Sequence, residues 1–384
     1  MSETEFFAGL GDKDKTKEMT FVDLLNFLLG ISPKWLSVQK ATPNNPAIVL
    51  SQKMSFSRNI KKYPFLENTT IPEESEIYRD VSNAIKKTKI FPSGKLVEIK
   101  LCDSNAIINA MLFEKDFIPA NIAAAPDKIK GIFMNGGDRE FPVVLANIQN
   151  HLTISLYCNI GKEEQAFEKI NKIDNILGEE LIYAYDSQLG FLFSKPEECG
   201  CGFSFETVFH LPGLVMTEEI METLNGISVM GAKIDEIFGN LTDNLGAFFK
   251  VVTGNYLGGG EKEIIEKTKE ICGILTAAEL KARKRLFKDA KKVMEDKIYR
   301  SFGMLKFAKI MPFPQFLNFI SLLRLGSEYK VIPFSLEFLN KILEKGFFTN
   351  IILLFDEQLK SSDFNYDEER ANLLRNLLKD CDLN

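Results

Sequence analysis

The stretch 183–212, YAYDSQLGFLFSKPEECGCGFSFETVFHLP, carries the most informative pattern in the chain. Two apolar segments flank a turn at Lys195 and Pro196, and two glycines, Gly200 and Gly202, follow that turn. Glycines at such positions let the backbone come close to another strand or to a ligand. The stretch therefore predicts two strands joined by a tight turn, beside a site where backbone and ligand could meet closely.

Other short apolar runs on both sides of this stretch predict the rest of a sheet. Strands are predicted at 47–50, 96–101, 107–113, 142–148, 152–157, 181–193 and 206–210. Helices are predicted at 20–36, with Thr20 as the N-cap, at 163–178 and at 218–225. This order of elements indicates an α+β fold with a mostly antiparallel sheet.

The chain changes character at the glycine triplet 258–260. Beyond it the apolar spacing is helical, and helices are predicted at 261–302, 314–325, 335–345 and 367–380. Glycine runs are typical of linkers, so we predict a domain boundary there. The predicted units are a loose extension at 1–20, an α+β domain at 21–258 and a helical domain at 261–384.

Composition narrows the class of protein. The 384 residues are 45% hydrophobic and 26% charged, which is enough apolar material for a sizeable core. The net charge of −6 argues against a nucleic-acid-binding or membrane-surface protein. No run approaches the ~18 apolar residues that span a bilayer. The six scattered cysteines suggest reduced thiols and a cytoplasmic protein, and the pair Cys199 and Cys201 is a weak metal signal, so no metal site is predicted.

Within the opening stretch, Gly190, Pro196, Gly200 and Gly202 stand as they do in the nucleotide- and guanidine-binding signature of the ATP:guanido phosphotransferases. The chain resembles that family, and the bacterial protein-arginine kinases in particular. The resemblance continues through PAIVLSQKMSFSRN at 46–59, FEKDFI at 113–118, NHLTI at 150–154, HLPGL at 210–214 and IFG at 237–239. EDKIYRSFGML at 295–305 and LRLG at 323–326 resemble the helical domain of the protein-arginine kinases.

The resemblance implies a fold and a set of functional positions. The implied fold is the guanido-kinase α+β domain, a curved antiparallel sheet backed by helices, followed by a helical dimerisation domain. The positions implied to hold nucleotide phosphates are Lys53, Ser55, Arg58, Thr153, Ser204 and Asp235. The implied catalytic positions are Lys195, where the reactive cysteine belongs, and Asn240, where an acid belongs; the histidine implied near the adenine is Asp116.

Most of these positions lack the side chain that phosphoryl transfer needs. Arginine forks grip phosphates bidentately, and each preorganised donor lost at a transition state typically costs about 100–1000-fold in rate. Of the implied phosphate arginines only Arg58 remains, and no arginine occurs between Arg139 and Arg283. The sequence therefore favours a catalytically impaired member of the family, without a firmly predicted cofactor.

An active enzyme is the alternative. It would phosphorylate protein arginine or a free guanidino compound with ATP and Mg²⁺, through a rebuilt site that uses Lys53, Arg58 and Lys195. Lysines from elsewhere, such as Lys233 or Lys250, could also enter the site. For Lys195 we favour the interpretation that it is a solvated turn residue.

The last predicted helix offers a third interpretation. YDEERA at 366–371 resembles the element that binds phosphoarginine in the helical domain of protein-arginine kinases, through Asp367, Arg370 and Ala371. The competing interpretation, which we favour, is an ordinary amphipathic helix with an acidic first turn.

Expected partners follow from the resemblance. They are a second copy of the chain in a homodimer, an active arginine kinase, a zinc-finger adaptor or a Clp-type chaperone.

Overall fold

The structure, a computed structural model, describes residues 20–36, 47–91, 95–124, 129–135, 142–238, 243–254, 259–354 and 365–383. Its strands are β1 Val49–Arg58, β2 Leu96–Lys100, β3 Gly131–Asn135, β4 Val143–Ala146, β5 Leu152–Cys158, β6 Tyr185–Asp186, β7 Gly190–Phe191, β8 Phe203–His210, β9 Lys233–Glu236 and β10 Phe248–Gly254. Eight of them form one sheet in the order β2-β3-β4-β5-β1-β8-β10-β9, and β6 pairs with β7. Every neighbouring pair in the large sheet is antiparallel, as predicted.

Helices fill the intervals between strands and make up the last third of the chain. They are α1 Phe21–Leu29, α2 Ile71–Thr88, α3 Ala106–Glu114, α4 Ala120–Ala124, α5 Glu163–Glu180, α6 Pro212–Met216, α7 Ile220–Val229, α8 Glu261–Asp289, α9 Lys291–Phe307, α10 Phe313–Glu328, α11 Leu336–Lys345, α12 Phe348–Leu354 and α13 Tyr366–Leu378. Thr20 caps α1 through its hydroxyl, which accepts from the backbone of Asp23, so the predicted N-cap is confirmed. None of the helices in the described ranges combines the length and apolarity that crossing a bilayer requires.

The centre of the sheet is apolar on one side. Alternate residues of β1, β5 and β8 point to that side because side chains alternate along a strand. Met54 and Phe56 of β1 are fully buried there against Phe203 and Phe205 of β8, and α2, α5 and the start of α8 cover them. This layer fixes the register of the central strands, since a one-residue slip would turn the apolar set to the opposite face.

Helix α8 leaves the glycine-rich link and packs along the sheet before the chain enters the helical region. Its Ile264 and Ile265 join the core beneath the sheet. Near its end, Glu279 accepts from the backbone N–H groups of Gly213 and Leu214 at 2.8 and 2.9 Å. Arg283, fully buried, pairs with Glu279.

Arg283 also reaches beyond α8. It pairs with Glu328 of α10 at 2.6 Å and donates to the carbonyl of His210 at the end of β8 at 3.0 Å. We call Glu279, Arg283 and Glu328 the buried node. It joins the sheet, α8 and the helical region in one set of contacts.

The helical region has its own core, which continues into the sheet. Helices α9 to α13 contribute most of it, and Val208 and Phe248 from β8 and β10 are part of the same cluster. Trp35, 1% exposed, packs edge-on against Phe248 and Phe347 at centroid distances of 5.4 and 6.1 Å. The expected α+β architecture with a helical C-terminal region is thus confirmed.

Two predicted strands were wrong. The run 107–113 lies in helix α3, which begins after Asn105, whose side chain accepts from the backbone of Ile108 at 2.8 Å. The run 181–193 contains only the two-residue strands β6 and β7, because a turn at Asp186 to Gly190 interrupts it. The predicted helix 261–302 is two helices, α8 and α9. Within 20–36 the α-helix ends at Leu29, and a short 3₁₀ helix follows at Lys34–Leu36.

Candidate functional site

The face of the sheet opposite the apolar layer carries a stripe of hydroxyl groups. Ser55 of β1 lies directly between Ser155 of β5 and Ser204 of β8 in the strand register, and its hydroxyl contacts that of Ser155 at 2.8 Å. One step along, Ser57 lies opposite Thr153, with their hydroxyls 3.5 Å apart. Three positions implied to hold phosphates, Ser55, Thr153 and Ser204, are therefore brought together, as short neutral side chains.

Further along the same face, four charged groups form a closed set. The ammonium of Lys53 lies 2.9 Å from Asp116 and 3.1 Å from Glu206. The ammonium of Lys250 lies 2.9 Å from Asp116 and 3.3 Å from Glu206. Tyr157 donates its hydroxyl to Asp116 Oδ2 at 2.7 Å. We call Lys53, Lys250, Asp116 and Glu206 the charge quartet; its formal charge is zero.

The position of each member follows from the strand register. Lys53 lies opposite both Tyr157 and Glu206, so the three side chains emerge from adjacent strands on one face. Lys250 belongs to β10, and Asp116 lies in the turn after α3. The side chains of the quartet are 15–20% exposed, so water screens their attraction only in part.

The quartet favours the charged forms of Lys53, Lys250 and Asp116. Burial alone would lower the pKa of Lys53, but the charges of Asp116 and Glu206 outweigh it and the pKa is raised. Burial also opposes the shift at Lys250, where Glu206 and Asp116 again raise the pKa. For Asp116 burial acts upward, and the attraction of Lys53 and Lys250 holds the pKa below its usual value. Burial, with the nearby charge of Asp116 second, raises the pKa of Tyr157, so its hydroxyl stays a donor.

Arg58 is present but turned away from this face. It is 1% exposed and forms an ion pair with Asp174 of α5 at 2.6 Å. Its Nη1 donates to the carbonyls of Ser57 and Cys201, each at 2.9 Å, and its guanidinium lies 3.6 Å from the ring centre of Phe191. These contacts make Arg58 a core residue that ties α5 and the glycine segment to β1.

The remaining implied positions lie apart from the quartet or outside the described residues. Lys195 is in an exposed turn, with its side chain 62% exposed and 3.5 Å from Glu198. Asp235 is exposed on the edge strand β9, opposite Lys250 in the register. Asn240 lies outside the described residues. The geometry of Lys195 is that of a solvated turn residue.

The two histidines serve as hydrogen-bonding core residues. His151 Nδ1 accepts from the backbone N–H of Ile60 at 2.9 Å, and burial lowers its pKa to about 4. His210, fully buried, lies 2.8 Å from the hydroxyl of Ser321.

The candidate phosphoarginine element lies in α13. Arg370 is 3% exposed; it donates to the carbonyls of Gly346 at 3.0 Å and Met311 at 2.8 Å, and pairs with Asp367 at 2.6 Å. Ala371 is buried in the helical core. Arg370 therefore fastens α13 to the loops before α10 and α12, which is the role an ordinary packed helix would give it.

Three members of the polar face were not recognised as site residues from the sequence. Glu206 and Tyr157 lie in strands with ordinary alternating patterns. The sequence indicates Lys250 only as one of the lysines available to a rebuilt site. The signal for Glu206 was its spacing of two from Ser204, which places both on one face. Nothing local indicated that Lys250 meets Lys53 across β8.

The fit of this face to a nucleotide can be judged from its charges. A triphosphate needs cations that are free to turn toward it, and both lysines here are bound to carboxylates. Within the described ranges, no group of three or more His, Cys, Asp or Glu side chains could hold a metal ion. The residues present do not fit a nucleotide triphosphate bound through arginine clamps.

Comparison with known families gives two matches that together cover most of the chain. Residues 76–282, more than half of the 384, match "ATP:guanido phosphotransferase, C-terminal catalytic domain". Residues 291–384 match "Protein-arginine kinase McsB C-terminal domain".

Individual relatives agree. The protein-arginine kinase of Clostridium novyi (strain NT) is 29% identical over 91% of this chain and 99% of its own length. That of Caldanaerobacter subterraneus subsp. tengcongensis is 27% identical over 84% of this chain and 95% of its own length.

Solved structures share the fold. A duplicated taurocyamine kinase from Schistosoma mansoni aligns with a TM-score of 0.52 at 15% identity, over 73% of this chain and 41% of that one. A lombricine kinase aligns with a TM-score of 0.50 at 16% identity, over 67% and 76% of the two chains. From the family matches above all, the chain belongs to the ATP:guanido phosphotransferases, and its C-terminal region is that of the protein-arginine kinases.

Proposed function

We propose that the chain is a protein-arginine-kinase-like protein in which phosphoryl transfer is impaired, and that it acts by binding other proteins in protein quality control. The observation that carries the proposal is the charge quartet. In the part of the chain that the structure describes, its two lysines converge on the polar face, and each is held by two carboxylates.

The quartet opposes a nucleotide triphosphate electrostatically. Asp116 and Glu206 lie where they would repel phosphate oxygens, and turning one lysine toward a phosphate would leave each carboxylate with only one of its two lysines. Leaving a buried charge with no partner typically costs about 3–5 kcal/mol, and the loss of one of two partners costs a fraction of that. The hydroxyls of Ser55 and Ser204 supply no charge to offset that cost.

A binding role finds support on the surface of α9. Val293, Met304, Phe307 and, just beyond the helix, Ile310 are 45–69% exposed. Exposed apolar side chains grouped along one element are typical of protein-binding surfaces. We propose that they serve a homodimer, and that an active arginine kinase, a zinc-finger adaptor or a Clp-type chaperone is the further partner, in the cytoplasm.

The experiment is a direct assay of nucleotide binding and turnover. Calorimetry with Mg-ATP should give no saturable heat at micromolar concentrations. Phosphoarginine formation on a protein substrate or on free arginine should stay at background, while the Clostridium novyi protein-arginine kinase is assayed alongside. Saturable binding together with phosphoryl transfer would overturn the proposal and establish an active enzyme.

One observation favours that active alternative. Lys53 and Lys250 converge on the polar face. A substrate guanidinium that paired with Asp116 and Glu206 would release both lysines to bind phosphate. The other residues of the rebuilt site do not join them. Arg58 is buried and paired with Asp174, and Lys195 lies in an exposed turn. A guanidino substrate added together with Mg-ATP in the same calorimeter therefore tests the alternative in its strongest form.

A further inference from the structure

A cavity of about 630 Å³ lies where the sheet domain meets the helical region. One wall is the start of α5, which presents Lys162, Gln165 and Lys169 on a single face because they are three or four residues apart. The opposite wall is a face of α11, with Glu337, Asn340, Lys341 and Glu344 at the same spacing. None of the four members of the charge quartet lines it.

The walls are mostly basic. Four lysines line the cavity, Lys34, Lys162, Lys169 and Lys341, against the two glutamates Glu337 and Glu344. Glu344 is further compensated by Lys115, 3.5 Å away. Among the described residues no ion pair engages Lys162 or Lys341. The cavity thus offers positive charge from both walls, in contrast to the neutral quartet.

The floor of the cavity carries an unused acceptor. Gln52 of β1 is 3% exposed, and its Oε1 is buried without a hydrogen-bond partner among the described residues. Its Nε2 makes only a long contact of 3.9 Å to the sulfur of Cys272. A buried amide oxygen without a donor is costly, so a ligand that supplies one is stabilised there.

Asn340 on the opposite wall is oriented for the complementary role. Its Oδ1 accepts from Arg324, a fully buried side chain of α10, so the amide nitrogen is the atom left for other partners. Pro33, Leu36 and Leu156 add apolar surface to the lining. The lining therefore combines cations, an acceptor, a donor and apolar contact, as small-molecule sites do.

We propose that this cavity binds an organic phosphate. The phosphoryl group would lie between Lys162, at the N-cap of α5, and Lys341 of α11, with Lys169 on the same wall as Lys162, since lysines bind phosphates as point charges. The polar body of the ligand would donate to Gln52 Oε1. A volume of about 630 Å³ is larger than inorganic phosphate requires and is in the range of sites for metabolite-sized molecules. The inference is independent of whether the sheet face transfers phosphate.

Calorimetry of the full chain without Mg²⁺ tests the proposal, with three probes: ADP, ribose 5-phosphate and pyrophosphate. We expect ADP or ribose 5-phosphate to bind saturably, at least tenfold more tightly than pyrophosphate. Raising the salt concentration should weaken the binding, because the lysines are partly exposed. Pyrophosphate binding alone, or no binding of any probe at millimolar concentration, would overturn it.

Matched variants locate the site. Lys162→Met and Lys341→Met should each weaken binding about five- to tenfold. Lys172→Met and Lys345→Met, exposed lysines of the same two helices that do not line the cavity, should change it less than twofold. All four positions are on the surface, so folding is not at risk. Equal effects in both pairs would refute the site.

Two further variants separate the parts of the proposal. Gln52→Leu should reduce the preference for organic phosphates over pyrophosphate, since it removes the acceptor. If Lys53→Met abolishes binding while Lys162→Met does not, the ligand sits on the sheet face instead and the proposal is wrong. Phosphoryl transfer is measured separately, so its presence would contradict the proposed function without touching this inference.

Discussion

Asp116 occupies a backbone conformation that few residues other than glycine adopt. Its φ is 64°, in the left-handed region, which costs an ordinary L-residue roughly 1–2 kcal/mol and aspartate somewhat less. The two lysines and the hydroxyl of Tyr157 that meet its carboxylate offset that strain. Because three partners hold its carboxylate, Asp116 fixes the positions of the other side chains in the quartet.

Replacing Asp116 with Asn should expose this role. The variant keeps the shape and a hydrogen-bonding group for Tyr157, but removes the charge that holds Lys53 and Lys250. A unit charge about 6 Å from a phosphate is worth roughly 2–3 kcal/mol at an effective dielectric of about 20. We therefore expect Mg-ATP affinity to rise at least about tenfold in calorimetry, and the free energy of unfolding to fall by about 3 kcal/mol.

Glu198→Gln is the matched control. It removes a carboxylate from an exposed lysine pair, Lys195 with Glu198, at 3.5 Å. Exposed pairs contribute about 0–1 kcal/mol, so neither stability nor nucleotide affinity should change appreciably. If Asp116→Asn leaves Mg-ATP affinity at the same level as this control, the quartet is not what keeps the nucleotide out.

At the scale of elements, the structure explains why glycines precede β8 in the stretch 183–212. Gly202 has φ +62°, and a Cβ there would lie 2.5 Å from Arg58 Nη1 and 2.7 Å from the carbonyl of Ser57. The glycine lets the segment lie flat against β1 while Arg58 passes over it. The close approach predicted for this segment is to another strand and its arginine.

Gly202→Ala should therefore destabilise the protein by more than about 2 kcal/mol, because it combines a left-handed backbone with displacement of a buried arginine. Urea denaturation measures this. Gly226→Ala is the control: Gly226 lies inside α7 with open space around it, and alanine there should stabilise by up to about 1 kcal/mol. Equal effects of the two substitutions would contradict this account of Gly202.

Elements with a clear period were predictable, and those without one were not. Strand β5 and helix α5 were found within two residues at each end, since alternation and the 3.6-residue repeat are local signals. The sequence predicts a strand where helix α3 lies, because the apolar run INAMLFE at 108–114 shows no helical period. The local signal for the helix is its N-cap, Asn105. Ambiguity of this kind belongs to short, fully apolar segments.

Of the candidate site, only the absence of the phosphate-binding arginines was predictable from the sequence. The loss of arginines could be read from single positions, and the register then confirms that Ser55 and Ser204 are neighbours. The quartet could not be read that way, because Lys53 and Lys250 are almost two hundred positions apart and meet only once β1, β8 and β10 are aligned. Charge compensation between distant strands leaves no local pattern.

At the scale of the molecule, a titratable contact joins the sheet domain to the helical region. Glu114 of α3 accepts from the backbone N–H of Thr349 in α12 at 3.2 Å and contacts the Thr349 hydroxyl. Burial raises the pKa of Glu114 to about 7 from an ordinary value of 4.5. The folded protein therefore retains this proton at pH values where the unfolded chain has released it.

The consequence for stability has a definite sign. A carboxyl with a raised pKa contributes most below pH about 4.5, and its contribution is lost as pH rises to about 7. Glu114→Gln is neutral throughout, so wild type should lose up to about 3 kcal/mol relative to the variant between pH 4.5 and 8. Parallel denaturation curves at several pH values measure the difference; a constant difference would show that Glu114 is ionised in the fold.

The exposed apolar residues on α9 lead to a prediction about assembly. Sedimentation should show a dimer that Phe307→Asp dissociates, since Phe307, at 69%, is the most exposed residue of that surface. A charge introduced into an apolar contact is strongly unfavourable. Val229→Asp, at a 90% exposed position on α7 away from that surface, is the control and should leave the mass unchanged.

The buried node has a thermodynamic consequence for a chain that matches two families. Arg283 and Glu279 lie in α8 against the sheet, and Glu328 belongs to α10. Unfolding of the helical region alone would remove Glu328 from Arg283 and expose the apolar surface that α9 to α13 share with Val208 and Phe248, so we expect the two halves to unfold together. Scanning calorimetry should record a single endotherm whose calorimetric and van't Hoff enthalpies agree, as for one cooperative unit.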